Sequence, residues 1–280
     1  MAGFWLGPRA AMRGYRLFGY DSIGSTSSEA MASARRGDAG DVWFAALQQT
    51  EGRGRRGRVW ESPSGNLAAS LLIVHEGDAA SVATLGFVAG IALQEALSGN
   101  LPASALRIGV DGADGLTGQG HAARLALKWP NDVIADGGKL AGILLEAQGL
   151  PDGRMAIVIG FGVNIVAAPT GLPYPATCLH ALGTPVSAEA VFAALADAWV
   201  DAFELWAGGR GVADVLARWR RHAAGLGSEV AISHDGQVVR GIFETIDEFG
   251  RLIVRDGARG TIAITAGDVH FGATATSGRT

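Results

Sequence analysis

At 280 residues, 48% of them hydrophobic, the chain has enough apolar content for one sizeable core and a small second domain, which excludes wholesale disorder. A formal net charge of -4 excludes a global positive field that would gather nucleic acid or anionic membrane, so any basic cluster is a local feature. The lone Cys178 excludes an intramolecular disulfide framework and a multi-cysteine zinc site, in keeping with a reducing cytosol.

The segment from Met1 through Arg16 carries Arg9, Arg13 and Arg16 but no apolar h-region ending in a cleavage signature, and no run reaches the roughly 18 apolar residues of a membrane span. A cytoplasmic protein is expected. Thr26-Ser27-Ser28-Glu29 has the capping-box spacing, with Thr26 facing an amide donor and Glu29 reaching back, and it predicts a helix that runs to about Arg36 and stops at Gly37. Helix N-termini also attract polar and anionic groups, so Ser25, Thr26 and Ser27 are candidates for ligand contact as well as for capping.

Apolar runs from Val42 to Leu47 and from Leu67 to Val74 read as buried strands. Between them lies Gly52-Arg53-Gly54-Arg55-Arg56-Gly57-Arg58, followed at once by Val59 and Trp60. Its glycines let the backbone turn sharply and approach a ligand, and each guanidinium can fork onto a carboxylate or phosphate. Such a loop can close over an anion; taken alone it reads first as a solvated basic hairpin tip. A helical pattern follows from about Ala80 to Leu97, ended by Gly99-Asn100, and then a Gly-rich stretch from Gly109 to Gly120 that reads as a surface insertion without an assigned role.

Leu125 to Trp129, Val133 to Ala135, Leu140 to Glu146 and Ala156 to Ile165 read as consecutive strands whose short connections make them antiparallel neighbours. A Pro-rich loop from Pro169 to Pro175 leads to a helix from about Ala188 to Trp206, striped by Phe192, Leu195, Trp199, Phe203 and Trp206, and a shorter helix spans Val212 to His222. From Ser228 the pattern changes to short alternating strands with tight turns, which suggests a small barrel. The expected division is a domain at 1–225 and a second at 226–280.

Two further stretches can carry chemistry. In Lys128-Trp129-Pro130-Asn131-Asp132, a turn explains Pro, Asn and Asp but not the lysine. Lys128 and Lys139 are the chain's two lysines, so each marks a place that suits a compact point charge rather than arginine's flat fork. In Ile159-Gly160-Phe161-Gly162-Val163-Asn164-Ile165, the strand period of two puts Gly160, Gly162 and Asn164 on one face, where a flat ligand can lie with Asn164 at its end. A bulge or close packing against a helix explains the glycines equally. There is no GxxxxGK[ST] phosphate loop, no clustered metal-ligand spacing and no G-x-S-x-G elbow, so the cations, glycines and amides suit electrostatic stabilisation of a carboxylate attacking a phosphate.

Gly24-Ser25-Thr26-Ser27, Gln49 through Arg58, Lys128 through Asp132 with Lys139-Leu140-Ala141-Gly142-Ile143-Leu144, and Gly160 through Asn164 together resemble the biotin protein ligase family, in the family's order and across its catalytic domain. The C-terminal strands are similar to its SH3-like domain. The resemblance implies an α+β fold: a mixed, largely antiparallel sheet packed with helices, class II synthetase-like, plus a small C-terminal SH3-like β-barrel. It also implies an ATP-dependent ligase that activates biotin as biotinyl-AMP and transfers it to a lysine of a biotin carboxyl carrier protein.

Carried over by position, Ser25, Thr26, Ser27 and Gln49 line the biotin ureido end. Gly52, Arg53, Gly54 and Arg55 fold over biotin and the adenylate phosphate, with Gly160 and Gly162 against biotin. Lys139 sits at the carboxyl-phosphate linkage and, with Arg53 and Arg55, is catalytic. Arg56, Arg58, Trp60, Lys128, Asn131, Asp132 and Asn164 fall to the nucleotide. Magnesium is expected mainly through the ATP phosphates, with no protein ligand assigned and no prosthetic group. Ser27 stands where many relatives have Asn, and Glu51 where a small residue is common. The 24 residues before Ser25 are too few for the winged helix-turn-helix of repressor-type members, so no DNA binding is expected; monomer and homodimer both stay open. Other readings are a lipoate or octanoate ligase or transferase of related fold, and a nucleic-acid-binding module using the Arg/Gly loop.

Overall fold

The computed structural model describes residues 3–76, 79–100, 125–234, 237–257 and 259–271. A seven-stranded mixed sheet forms the body. Its strands are β1 (Arg16–Tyr20), β2 (Val42–Ala46), β3 (Leu67–His75), β4 (Leu125–Lys128), β5 (Asp132–Ala135), β6 (Gly138–Gly149) and β7 (Met155–Val163), in the spatial order β1-β2-β3-β7-β6-β5-β4. Only β1 and β2 run parallel; the expected antiparallel neighbours from β4 to β7 are present.

Strand alternation sends the two faces of this sheet to different partners. Val42, Phe44, Leu72, Ala156 and Val158 pack beneath α2 (Thr26–Arg35). Trp43, Leu71, Ile157, Ile159 and Phe161 point the other way, into a larger core with α4 (Leu85–Asn100), α5 (Ala188–Trp206) and α6 (Val212–Arg221). The helix at 80–100 has the length and hydropathy of a membrane span, against the sequence expectation, but 72% of its most apolar 18-residue window is buried inside this core. It is interrupted between α3 (Ala79–Ala83) and α4 at Thr84, whose hydroxyl donates to the Ser81 carbonyl at 2.6 Å and accepts from Trp206 Nε1 at 2.8 Å.

Five antiparallel strands, β8 (Glu229–His234), β9 (Gln237–Ile246), β10 (Leu252–Asp256), β11 (Gly260–Ile264) and β12 (Asp268–Phe271), make the second sheet in the order β11-β10-β9-β8-β12, consistent with the expected SH3-like module. Its buried residues continue the main core. Trp129 Nε1 donates to the Gly250 carbonyl at 3.0 Å, and a Cβ at Gly250 would run into Phe87, so the turn before β10 seats directly on the body of the first sheet and its helices. The Trp129–Pro130 peptide is cis.

The N-cap of α2 is Ser25, one residue before the expected Thr26: Ser25 Oγ accepts from Ser28 N at 3.4 Å, while Thr26 Oγ1 is turned to Gln49 and Ser70. Glu29 pairs with Arg36 at 2.8 Å rather than reaching back. α1 (Pro8–Met12) and β1 carried no sequence signal. Long-range contacts hold α1 to α5, among them Ala10 N donating to Asp197 at 2.9 Å and the Arg9–Asp201 ion pair. The Gly-rich stretch from Gly109 to Gly120 lies outside the described residues.

Candidate active site

On the α2 face, cross-strand register lines up small residues. One row runs Ala46, Ala68, Gly162, Gly142, Asp132; the next runs Phe44, Ser70, Gly160, Leu144. The result is a shallow trough in the middle of the sheet. Ser27, at the start of α2, overhangs Gly160, where a Cβ would come within 2.9 Å of its Oγ. Trp60 lies flat over the other row: a Cβ at Gly162 would run into its indole, and one at Gly142 would meet Cζ3 at 3.1 Å. The flat group that the glycine face predicts is therefore, in this structure, the protein's own Trp60.

The basic loop is an irregular hairpin. Gln49 pairs with Ser62 and Arg53 with Val59, Trp60 N donates to Gly52 O at 2.9 Å, and the tip turns through Arg56 and Gly57, with φ of 56° and 72°. A Cβ at Gly52 would collide with the Trp60 carbonyl, which explains that glycine. Each of the four guanidiniums has a protein partner. Arg53 reaches Glu146 at 3.4 Å, Arg55 donates to Asn131 Oδ1 at 2.9 Å, and Arg56 and Arg58 converge on Asp268 Oδ2 at 3.3 and 2.5 Å. Burial lowers the pKa of Arg55, so its charge is partly stripped of water where an anion would meet it. Asn131 in turn donates to the Ile143 carbonyl at 2.7 Å, which fixes Arg55 relative to β6.

Lys139 is less exposed than Arg53, Arg56 or Arg58. Its Nζ is 2.8 Å from Asp132 Oδ1 and lies between two rings, 5.5 Å from Trp60 and 5.7 Å from Tyr174. Its backbone is clamped by Pro175 O, by Thr177 N and by Asn164, whose Nδ2 donates to Lys139 O at 3.3 Å and Thr177 O at 3.0 Å. Asn164 is fully buried beneath this clamp. Lys128 sits at the rim, its Nζ 5.5 Å from the Phe271 ring, with a pKa lowered by burial and next raised by Asp132.

The structure thus gathers Ser25, Thr26, Ser27, Gln49, the arginine loop, Trp60, Asn131, Asp132, Lys139, Gly160, Gly162 and Asn164 around one trough. Sequence reasoning missed Ser70, Glu146, Tyr174 and Asp268. Ser70 had a signal, as the polar residue inside the apolar run from Leu67 to Val74; Tyr174 and Asp268 had none, being joined to the site only by tertiary contact. An open groove of about 420 Å³ lies between Gln49, Trp60, Ser62 and Pro169. Among the described residues no three His, Cys, Asp or Glu side chains come together as a metal cage.

Residues 36–164 match the Biotin/lipoate A/B protein ligase family and residues 225–272 the Biotin protein ligase C terminal domain. The chain is 39% identical over 257 residues to a biotin--[acetyl-CoA-carboxylase] ligase of Paracoccus denitrificans, covering 89% of this chain and 97% of that protein. It is 34% identical over 251 residues to the Mycobacterium tuberculosis protein of the same name, covering 88% and 85%. In fold it is similar to the biotin protein ligase from Aquifex aeolicus solved in complex with biotin and ATP, with a TM-score of 0.70, 21% identity and coverage of 91% and 97%.

Proposed function

The chain belongs to the biotin protein ligase family, and from that premise we propose that it activates biotin with ATP as biotinyl-AMP and passes the biotinyl group to a lysine of a biotin carboxyl carrier protein. In the first step a biotin carboxylate oxygen attacks the α-phosphorus, and the bond to the leaving pyrophosphate breaks. In the second, the uncharged ε-amine of the acceptor lysine attacks the mixed-anhydride carbonyl and AMP leaves. No covalent bond to the enzyme is needed; the protein's task is to align two anions and neutralise the charge that develops between them.

The observation that carries this reading is the setting of Lys139. A lysine clamped by its backbone, paired with Asp132 and boxed by two aromatic rings is a preorganised point charge beside the trough. In this reading Lys139 faces the carboxyl-phosphate linkage, Arg53 and Arg55 close over it, and Arg56, Arg58, Lys128, Asn131 and Asp132 lie toward the nucleotide. Asn164 acts through the Lys139 backbone. Asp132 and Glu146 already have cationic partners, so magnesium would come with the triphosphate rather than in a protein cage. The reading keeps 1–225 as the catalytic unit and 226–280 as the SH3-like unit, and places the enzyme in the cytoplasm, where ATP and the carrier are met.

A lipoyl head group would leave Gln49 Nε2 and the Ser27 hydroxyl oxygen without a ligand partner, because a dithiolane offers no N–H or C=O; buried polar groups without partners cost about 1–3 kcal/mol each. Each loop arginine already has a protein partner, Glu146, Asn131 or Asp268, which disfavours a nucleic-acid face. The test is biotin-dependent exchange of pyrophosphate into ATP. Wild-type protein should exchange with biotin and not with lipoate, and Lys139→Ala should keep its fold but exchange about a hundredfold more slowly, the worth of ~3 kcal/mol at a transition state. Exchange with lipoate alone would overturn the substrate; near-normal exchange by Lys139→Ala would overturn its role.

A further inference from the structure

Four side chains at the closed end of the trough form a chain of contacts: Gln49, Thr26, Ser70, Ser27. Thr26 N donates to Gln49 Oε1 at 2.8 Å. A backbone N–H can only donate, so the atom facing it is the amide oxygen, and the orientation of the Gln49 amide is fixed. Thr26 Oγ1 also lies 3.0 Å from Gln49 Oε1. A carbonyl oxygen can only accept, so the single Thr26 hydroxyl proton goes there. Ser70 Oγ is 2.8 Å from Thr26 Oγ1, and with the Thr26 proton committed Ser70 must be the donor. Ser27 Oγ is 3.0 Å from Ser70 Oγ, and the same count makes Ser27 donate to Ser70. Ser70 and Thr26 are buried, so water does not relax this order.

We infer that Ser70 is a positioning residue for substrate recognition: by taking the Ser27 proton it leaves Ser27 Oγ with only lone pairs to present to the trough, so that Ser27 accepts a hydrogen bond from a ligand N–H. At the other end of the chain the Gln49 amide, its oxygen occupied, has its Nε2 donors left for a ligand, beside Gly52. Donors at one end and an acceptor at the other complement a group that carries both C=O and N–H, as a cyclic urea does. Ser27 overhangs Gly160, which places this acceptor above the trough floor. The inference rests on biotin being the substrate; it adds which atom type Ser27 recognises and which buried residue enforces it.

The experiment is equilibrium titration of wild type, Ser70→Ala and Ser27→Ala with biotin and with the two biotin analogues in which one or the other ureido N–H is replaced by a ring oxygen. In wild type, one of the two oxygen analogues should bind tenfold or more weakly than biotin, since lone pairs then face lone pairs. Ser70→Ala frees the Ser27 hydroxyl to rotate and donate, and should shrink that ratio at least threefold, whereas a merely structural role for Ser70 would weaken all three ligands alike and leave the ratio unchanged. Ser27→Ala, which does not disturb the strand, should bring the ratio near one. An unchanged ratio in Ser70→Ala, or equal binding of biotin and both analogues by wild type, overturns the inference while the substrate assignment stands. Wild type that binds no biotin overturns both.

Discussion

The close seating of Trp60 on Gly162 and Gly142 makes a single methyl group informative. Gly162→Ala would place a Cβ inside the space of the indole, so either the ring lifts from the trough or the strand shifts. Overpacking of this kind costs about 1–3 kcal/mol. Lifting the ring also removes one of the two walls around Lys139, so the variant should lose adenylation beyond its loss of stability. Trp60→Ala relieves the collision, and the double variant Gly162→Ala/Trp60→Ala should be less destabilised than the sum of the two singles, read from denaturant midpoints. Additive effects would show that the indole does not rest there. The sequence revealed the glycine face but not its occupant, because alternation within one strand is local whereas the indole arrives from a loop about one hundred residues earlier.

At the scale of elements, the start of α2 joins folding to binding. Because Thr26 spends its hydroxyl on Gln49, capping falls to Ser25, through a long bond of 3.4 Å. Ser25→Ala should therefore cost toward the low end of the usual 0.5–2 kcal/mol for a lost cap, about 0.5–1 kcal/mol in a urea unfolding curve; a loss above about 2 kcal/mol would point to a role besides capping. The same helix start shows how legible the chain was. The periodic elements, from β2 through β7 and α4 through α6, stood out because period and turn chemistry are written locally. The cap was misplaced by one residue because a competing acceptor, Gln49, lies far along the chain. β1, a short half-exposed edge strand, and β12, four residues that close the small sheet against β8, depend on partners that no local pattern names.

For the whole molecule, the contact between the arginine loop and β12 ties the C-terminal sheet to the active site. Burial pushes the Asp268 carboxyl up, but the hydrogen bond from Arg58 and the charges of Arg58, Arg56 and Arg55 outweigh it, so its pKa lies below the usual carboxylate value. A carboxylate with a depressed folded pKa contributes stability that is present above its unfolded pKa and is lost as pH falls through the folded one. The window is therefore below about pH 4. The pairs are partly solvated, so the contribution is at most about 1 kcal/mol. Asp268→Asn should be slightly less stable than wild type at pH 7 and converge on it at the acid end; a gap that does not change with pH would mean the charge is not what matters. The local consequence is larger than the global one. Releasing Arg56 and Arg58 raises the population of open loop, so trypsin should cut after Arg56 or Arg58 several-fold faster in Asp268→Asn than in wild type. Saturating biotin and ATP should slow that cleavage in both proteins, because a loop that closes over an anionic intermediate gains from the ligand the contacts it lost from Asp268. Cleavage indifferent to ligand would leave the loop as a fixed basic hairpin and remove it from the reaction.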